Sequence, residues 1–174
     1  IYGPADITRG DASIELVFRP ADQQDAEPLW GGGGNGTGAS IILLENQVVL
    51  TVCQGAIVAQ AIAPLPAGAI AGGDFVHVLC TINLAGDSVA LYVNNVLAAT
   101  GSAINITNGA AADLNKWAGA DDEGIARSQG TTGGDTGTAP GLGAHGTTDI
   151  PDFNEANDRF EGDITIVRVY TSVL

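Results

Sequence analysis

The sequence predicts an all-β protein made of two antiparallel sheets packed face to face. Three observations predict it. Residues 74–99 alternate, turn, alternate and turn again, and a period of two with β-branched residues means strand. Residues 159–170, RFEGDITIVRVY, form a second run dense in β-branched side chains. The chain also holds 25 glycines with much Thr, Asn and Ala, while strong helix formers are scarce. An alternating sheet has an apolar side to bury, most simply against a second sheet.

The elements follow in order. Residues 1–11 read as an irregular or edge segment, punctuated by Pro4 and Gly10. Residues 13–19 alternate Ile14, Leu16 and Phe18 against Glu15, Val17 and Arg19, and Pro20 stops the strand. After a polar loop, Leu29 and Trp30 begin a short strand, and the run GGGGNGTG at 31–38 is expected as a turn or flexible loop. Residues 39–44 and 47–52 form a hairpin over Glu45 and Asn46, Gln54-Gly55 turns, and 56–62 is a short strand. A Pro- and Gly-rich loop at 65–73 leads into the meander.

In the meander Val76, Val78, Cys80 and Ile82 oppose Phe75, His77, Leu79 and Thr81, and Val89, Leu91 and Val93 oppose Ala90, Tyr92 and Asn94. Asn94-Asn95 is a tight turn in left-handed backbone. Residues 104–107 add a short strand, 108–115 one helical turn, and 125–127 another short strand. A glycine-rich loop fills 130–148. In the last strand Phe160, Ile164, Ile166 and the aliphatic stem of Arg168 are expected on one side, sharing the interior with Leu91, and Thr165, Val167 and Val169 on the other. Its apolar residues on both faces predict a central position.

A length of 174 residues suits one domain spanning 1–174, and a chain of this size buries roughly 70% of its extended surface. Twenty Asp and Glu stand against six Lys and Arg, a net charge of −14. Nucleic acid demands a basic footprint, so it is excluded as a partner, and anionic membranes are disfavoured. No stretch is clean and long enough to span a bilayer. The chain has no Met and no signal peptide, which fits a processed or excised, exported chain.

Four stretches carry a family resemblance: SIELVFRP at 13–20, FVHVLCTINLAGDSVALYVNNVLAA at 75–99, WAGADDEGIARSQG at 117–130 and RFEGDITIVRVYTSVL at 159–174. In this order and spacing the chain resembles the laminin-G-like, concanavalin A-like jelly-roll domains of the bacterial secreted type. Phe75 stands where that family usually has Trp. The resemblance implies a two-sheet antiparallel jelly-roll sandwich, mostly non-catalytic, binding glycans, proteins or Ca²⁺. Family members usually begin with one more strand before the equivalent of 13–20. That absent strand is expected to be cut off or supplied by another chain.

Several side chains are candidates for function. Sugars need a flat stacking partner with polar groups beside it, so Trp30 and Trp117, with Asn35, Asn94, Asn95 and Asn115, form the ligand-binding set; the alternative is that both indoles plug the sandwich. Hard cations want converging oxygens, and Asp121, Asp122, Asp158 and Asp163 are the first residues to examine for Ca²⁺, against a solvated acidic surface. Neither acidic cluster has EF-hand spacing. Cys53 and Cys80 either form a disulfide closing about 28 residues, worth ~3 kcal/mol, or are two buried thiols. His77 is read as a packed neutral histidine and Arg9-Gly10-Asp11 as a chance match, while the N-glycosylation sequons at Asn35 and Asn105 matter only where the source modifies Asn.

Three functions compete. The first is a secreted or cell-surface module binding a glycan or surface protein, with Ca²⁺ as the candidate cofactor. The second is a structural subunit of a fibre, self-assembled through strand edges. The third is a polysaccharide-acting enzyme, which needs two carboxylates across the scissile bond; the nearest approach, Glu161-Gly162-Asp163, lacks the third acid of the usual strand signature.

Overall fold

The computed structural model describes residues 10–21, 27–34, 37–70, 73–117, 124–125 and 160–174. Their strands are β1 (Ala12–Pro20), β2 (Glu27–Gly34), β3 (Thr37–Leu44), β4 (Gln47–Gln54), β5 (Ile57–Pro64), β6 (Val76–Asn83), β7 (Ser88–Val93), β8 (Val96–Ser102), β9 (Ile104–Asn105), β10 (Ala110–Ala111), β11 (Gly124–Ile125) and β12 (Gly162–Tyr170). They form a five-stranded sheet A, ordered β12-β1-β6-β7-β8, and a seven-stranded sheet B, ordered β10-β9-β5-β4-β3-β2-β11. Every pairing is antiparallel. The segments 108–115 and 31–34 depart from expectation. Asn105 and Asn108 side chains accept from Thr107 and Ala110 backbone N–H groups, and such local bonds compete with a helical turn. Gly31 to Gly34 are strand, because β3 supplies a backbone partner for each of them.

The meander matches its alternation. Val76, Val78, Cys80, Ile82, Val89, Leu91 and Val93 enter one core with Ile14, Leu16 and Phe18 of β1 and Ile41, Leu43, Val48, Leu50 and Val52 of sheet B. Asn94 and Asn95 turn with φ of 49° and 66°, the left-handed backbone that lets a two-residue loop follow the strand twist. The opposite face of sheet B is buried as well, at Ile42, Val49, Cys53 and Val58.

The ends of sheet A correct two expectations. β12 lies at the margin of the sheet, and β1 is central, paired to β12 on one side and β6 on the other. Both edges of β1 are therefore occupied, and no seat beside it awaits a strand from another chain. Apolar residues on both faces of β12 come from a bulge: Val17 pairs with Ile166 but Phe18 with Ile164. The extra residue, Thr165, flips the alternation. Ile164, Val167 and Val169 pack on the core, whereas Ile166 faces out and does not share the interior with Leu91. Gly162 has a φ of 151°, and a Cβ there would collide with the Arg19 carbonyl oxygen, so only glycine fits where β12 starts against β1.

The cysteines are not bridged; both are buried thiols. Leu50 and Val52 point into the core, so Cys53, of opposite parity on β4, points to the other face of sheet B. Cys80 lies inside the sandwich. A layer of backbone separates them, and burial raises the Cys80 thiol far above its ordinary pKa.

Candidate functional site: the outer face of sheet A

The densest chemistry among the described residues is on the solvent side of sheet A, around Glu15. Alternation along β1 turns Glu15 outward, while its sequence neighbours Ile14 and Leu16 point into the core. Arg168 lies directly across on β12 and Leu79 directly across on β6. Tyr170 and His77 sit one row away on those strands, within diagonal reach. The Tyr170 hydroxyl donates to Glu15 Oε2 at 2.8 Å and Arg168 donates to the same oxygen at 3.0 Å. His77 Nε2 lies 3.1 Å from Oε1.

These contacts hold the Glu15 carboxyl below its ordinary pKa, chiefly through Tyr170 and then Arg168, against an opposing effect of burial that is larger than the small contribution of His77. Tyr170 and Arg168 are correspondingly raised by Glu15. Such a carboxylate is an acceptor and an anchor, and it is poorly suited to donate a proton. The Arg168 side chain is 55% exposed, and its fork has more donors than the one Glu15 engages.

Further along the face Arg19 binds Asp163, with Nε at 3.1 Å, and its guanidinium lies 4.9 Å from the centre of the Phe75 ring. Phe75 is 40% exposed. Arg168, Glu15 and Phe75 thus offer a charged fork, an ionised acceptor and an accessible ring on one side of one sheet.

The residues expected to bind ligand are placed differently. Trp30 and Trp117 are each 1% exposed and meet edge to face, ring centres 5.9 Å apart. The Trp117 indole donates to the Gly10 carbonyl at 2.8 Å. Both therefore plug the interior and present no face for stacking. Asn94 is exposed but tied down: its Oδ1 accepts from His77 N–H at 3.0 Å. Asn95 is exposed in the same turn. Asn115 is exposed, and its side-chain amide donates to the Asp113 carbonyl oxygen at 3.3 Å. Asn35 lies outside the described residues.

Of the metal candidates, Asp121, Asp122 and Asp158 lie outside the described residues, and Asp163 is held by Arg19. No group of three or more His, Cys, Asp or Glu that could hold a metal ion occurs among the described residues. His77 is a partner of Glu15 on the outer face, not a packed core histidine, because its strand parity turns it outward.

Sequence reasoning missed the Glu15 constellation. Alternation set Glu15 opposite Ile14, Leu16 and Phe18, and His77 with Phe75 and Leu79, but the meeting of Glu15 and His77 depends on which strands neighbour β1, and the Tyr170 contact joins residues 155 positions apart.

No family model matches the sequence, and no curated protein matches it. Solved structures do match in shape. The CBM40 of Ruminococcus gnavus IT-sialidase, bound to α2,3-sialyllactose, superimposes with a TM-score of 0.60 at 15% identity, covering 96% of this chain and 79% of that one. The LG4-5 domains of the mouse laminin α1 chain give 0.62 at 14% identity, covering 97% and 37%. This is the laminin-G-like jelly-roll fold. The binding domain of botulinum neurotoxin DC, in complex with SialylT, also matches it, with a TM-score of 0.63 at 14% identity over 99% of this chain and 35% of that one. Against laminin and the toxin, this chain therefore spans little more than a third of the matched length.

Proposed function

We propose that this chain is a non-catalytic binding or adhesion module, secreted or on a cell surface, that engages a glycan or surface protein through the outer face of sheet A. One observation carries the reading: three neighbours hold Glu15 ionised on an exposed sheet face, beside the accessible Arg168 and with Phe75 further along, next to Arg19. That is recognition chemistry. Hydrolysis of a glycoside needs a second carboxyl kept as an acid across a groove, and Asp163, the next carboxylate on this face, is bound by Arg19. The fold supports the reading, since structures of the same shape were solved with sialyllactose and SialylT bound.

The test is a glycan array followed by calorimetry on the intact chain. Arg168→Ala, Glu15→Gln and Phe75→Ala should each weaken the best ligand about tenfold or more, the scale of a lost charged hydrogen bond. Unchanged affinity in all three variants, or cleavage of the ligand, would overturn the reading. Repeating the titration in EDTA and with added Ca²⁺ tests calcium assistance by the acidic stretches around Asp121, Asp122 and Asp158.

A further inference from the structure

We infer that the outer edge of β8 is a self-association surface, on which a second copy of this chain docks strand to strand. β8 pairs with β7 on one side and ends sheet A on the other. Edge strands are normally blunted by Lys, by Pro, by inward-pointing charge or by a bulge; VLAATGS has no Lys, Pro or charge, and its one irregularity is the single extra residue Ala98 opposite Leu91 and Tyr92. Val96 and Leu97 are 66% and 52% exposed. The far end of the strand is closed, because Gly101 lies so near β5 that an added Cβ would collide with the Gln60 carbonyl oxygen. Residues 96–100 are thus the stretch open to pairing.

Charge selects the occupant. At a net charge of −14, two copies repel wherever their acids face each other. Between Asp87 and Asp113 no residue is charged. That run supplies β7, β8, β9 and β10, and β8 and β9 both lie beside β5, so it builds one flank of the sandwich. On this flank two copies approach with least repulsion, and a charged partner finds nothing to pair with. A two-fold axis sets 96–100 antiparallel to the same residues of the second copy, which joins two five-stranded sheets into one.

Sedimentation velocity on the intact chain, from micromolar to submillimolar concentration, tests this at low salt and at about 0.5 M salt. A concentration-dependent dimer is expected, and salt should strengthen it by screening the acids. Leu97→Lys with Thr100→Lys, both at exposed positions, should shift the dimer constant at least tenfold toward monomer while leaving the circular dichroism spectrum and melting temperature unchanged. Thr165→Lys on β12, at the opposite margin of sheet A, should leave the dimer intact. A monomer under all conditions, or a dimer indifferent to the β8 lysines, would overturn the inference. So would a monomer that takes up an extended synthetic peptide at this edge, which would assign β8 to a foreign strand.

Discussion

Tyr170 and Glu15 are joined by a 2.8 Å hydrogen bond across the outer face of sheet A, although 155 residues separate them in sequence. This bond is the largest influence lowering the Glu15 pKa below its ordinary 4.5. A carboxyl whose pKa is lower folded than unfolded stabilises the fold above the unfolded value and loses that contribution as pH falls through the folded value. Urea midpoints should therefore fall as the pH drops below about 4.5, with a component that Glu15→Gln removes. Identical pH profiles for the two proteins would show that Glu15 is not coupled to folding.

The tryptophans should behave as interior residues. Native emission should be blue-shifted relative to the unfolded chain and poorly quenched by acrylamide. Trp117→Ala should cost about 3–5 kcal/mol, as expected for removing a large buried aromatic, whereas Trp117→Phe should leave ligand affinity unchanged. A Trp117→Phe protein that folds normally but loses its ligand would restore the stacking platform.

Neither cysteine should react with an aromatic disulfide reagent under native conditions, and two thiols should titrate in denaturant. Burial penalises the Cys80 thiolate, which is the reactive form. Reducing agent should not shift the melting temperature. A shift of several degrees would indicate a bridge.

Two glycines in strands should respond very differently to alanine. Gly162→Ala strains a backbone at φ 151° and drives a methyl into the Arg19 carbonyl, and a loss of about 3 kcal/mol is expected. At Gly31 the nearest atom to an added Cβ is 3.9 Å away, so Gly31→Ala should change stability by under about 1 kcal/mol in either direction. Chemical denaturation of both variants checks the pair.

The Ser40 hydroxyl is buried without a hydrogen-bond partner among the described residues. A buried unsatisfied group costs about 1–3 kcal/mol, so Ser40→Ala should hold or raise the urea midpoint. A clear loss would mean that the hydroxyl is satisfied in solution.

The meander could be read residue by residue because alternation, turn chemistry and burial agree there: Leu91 faces in, Tyr92 faces out, and Asn94-Asn95 turns as its residue types require. The resemblance gave the sandwich. Reading failed where a local rule met a longer-range one. The Thr165 bulge reverses the parity of Ile166, and no spacing in the chain announces it. Gly31 to Gly34 have no side chains to signal a strand, yet β3 holds them in one. Trp30 and Trp117 have the composition of a sugar platform, and only their mutual packing shows them to be a plug. The Glu15 site depends on strand neighbours, which composition does not encode.

The central place of β1 has a consequence for the order of events during synthesis. One of its flanks is filled by β6, but the other waits for β12, which leaves the ribosome only after β2 to β11. Until then a nascent chain carries an apolar strand with one bare side, and pairing across so long a loop closes slowly. A stalled or clipped product ending before Gly162 would keep that side open and should aggregate, while a chain that carries β12 seals it.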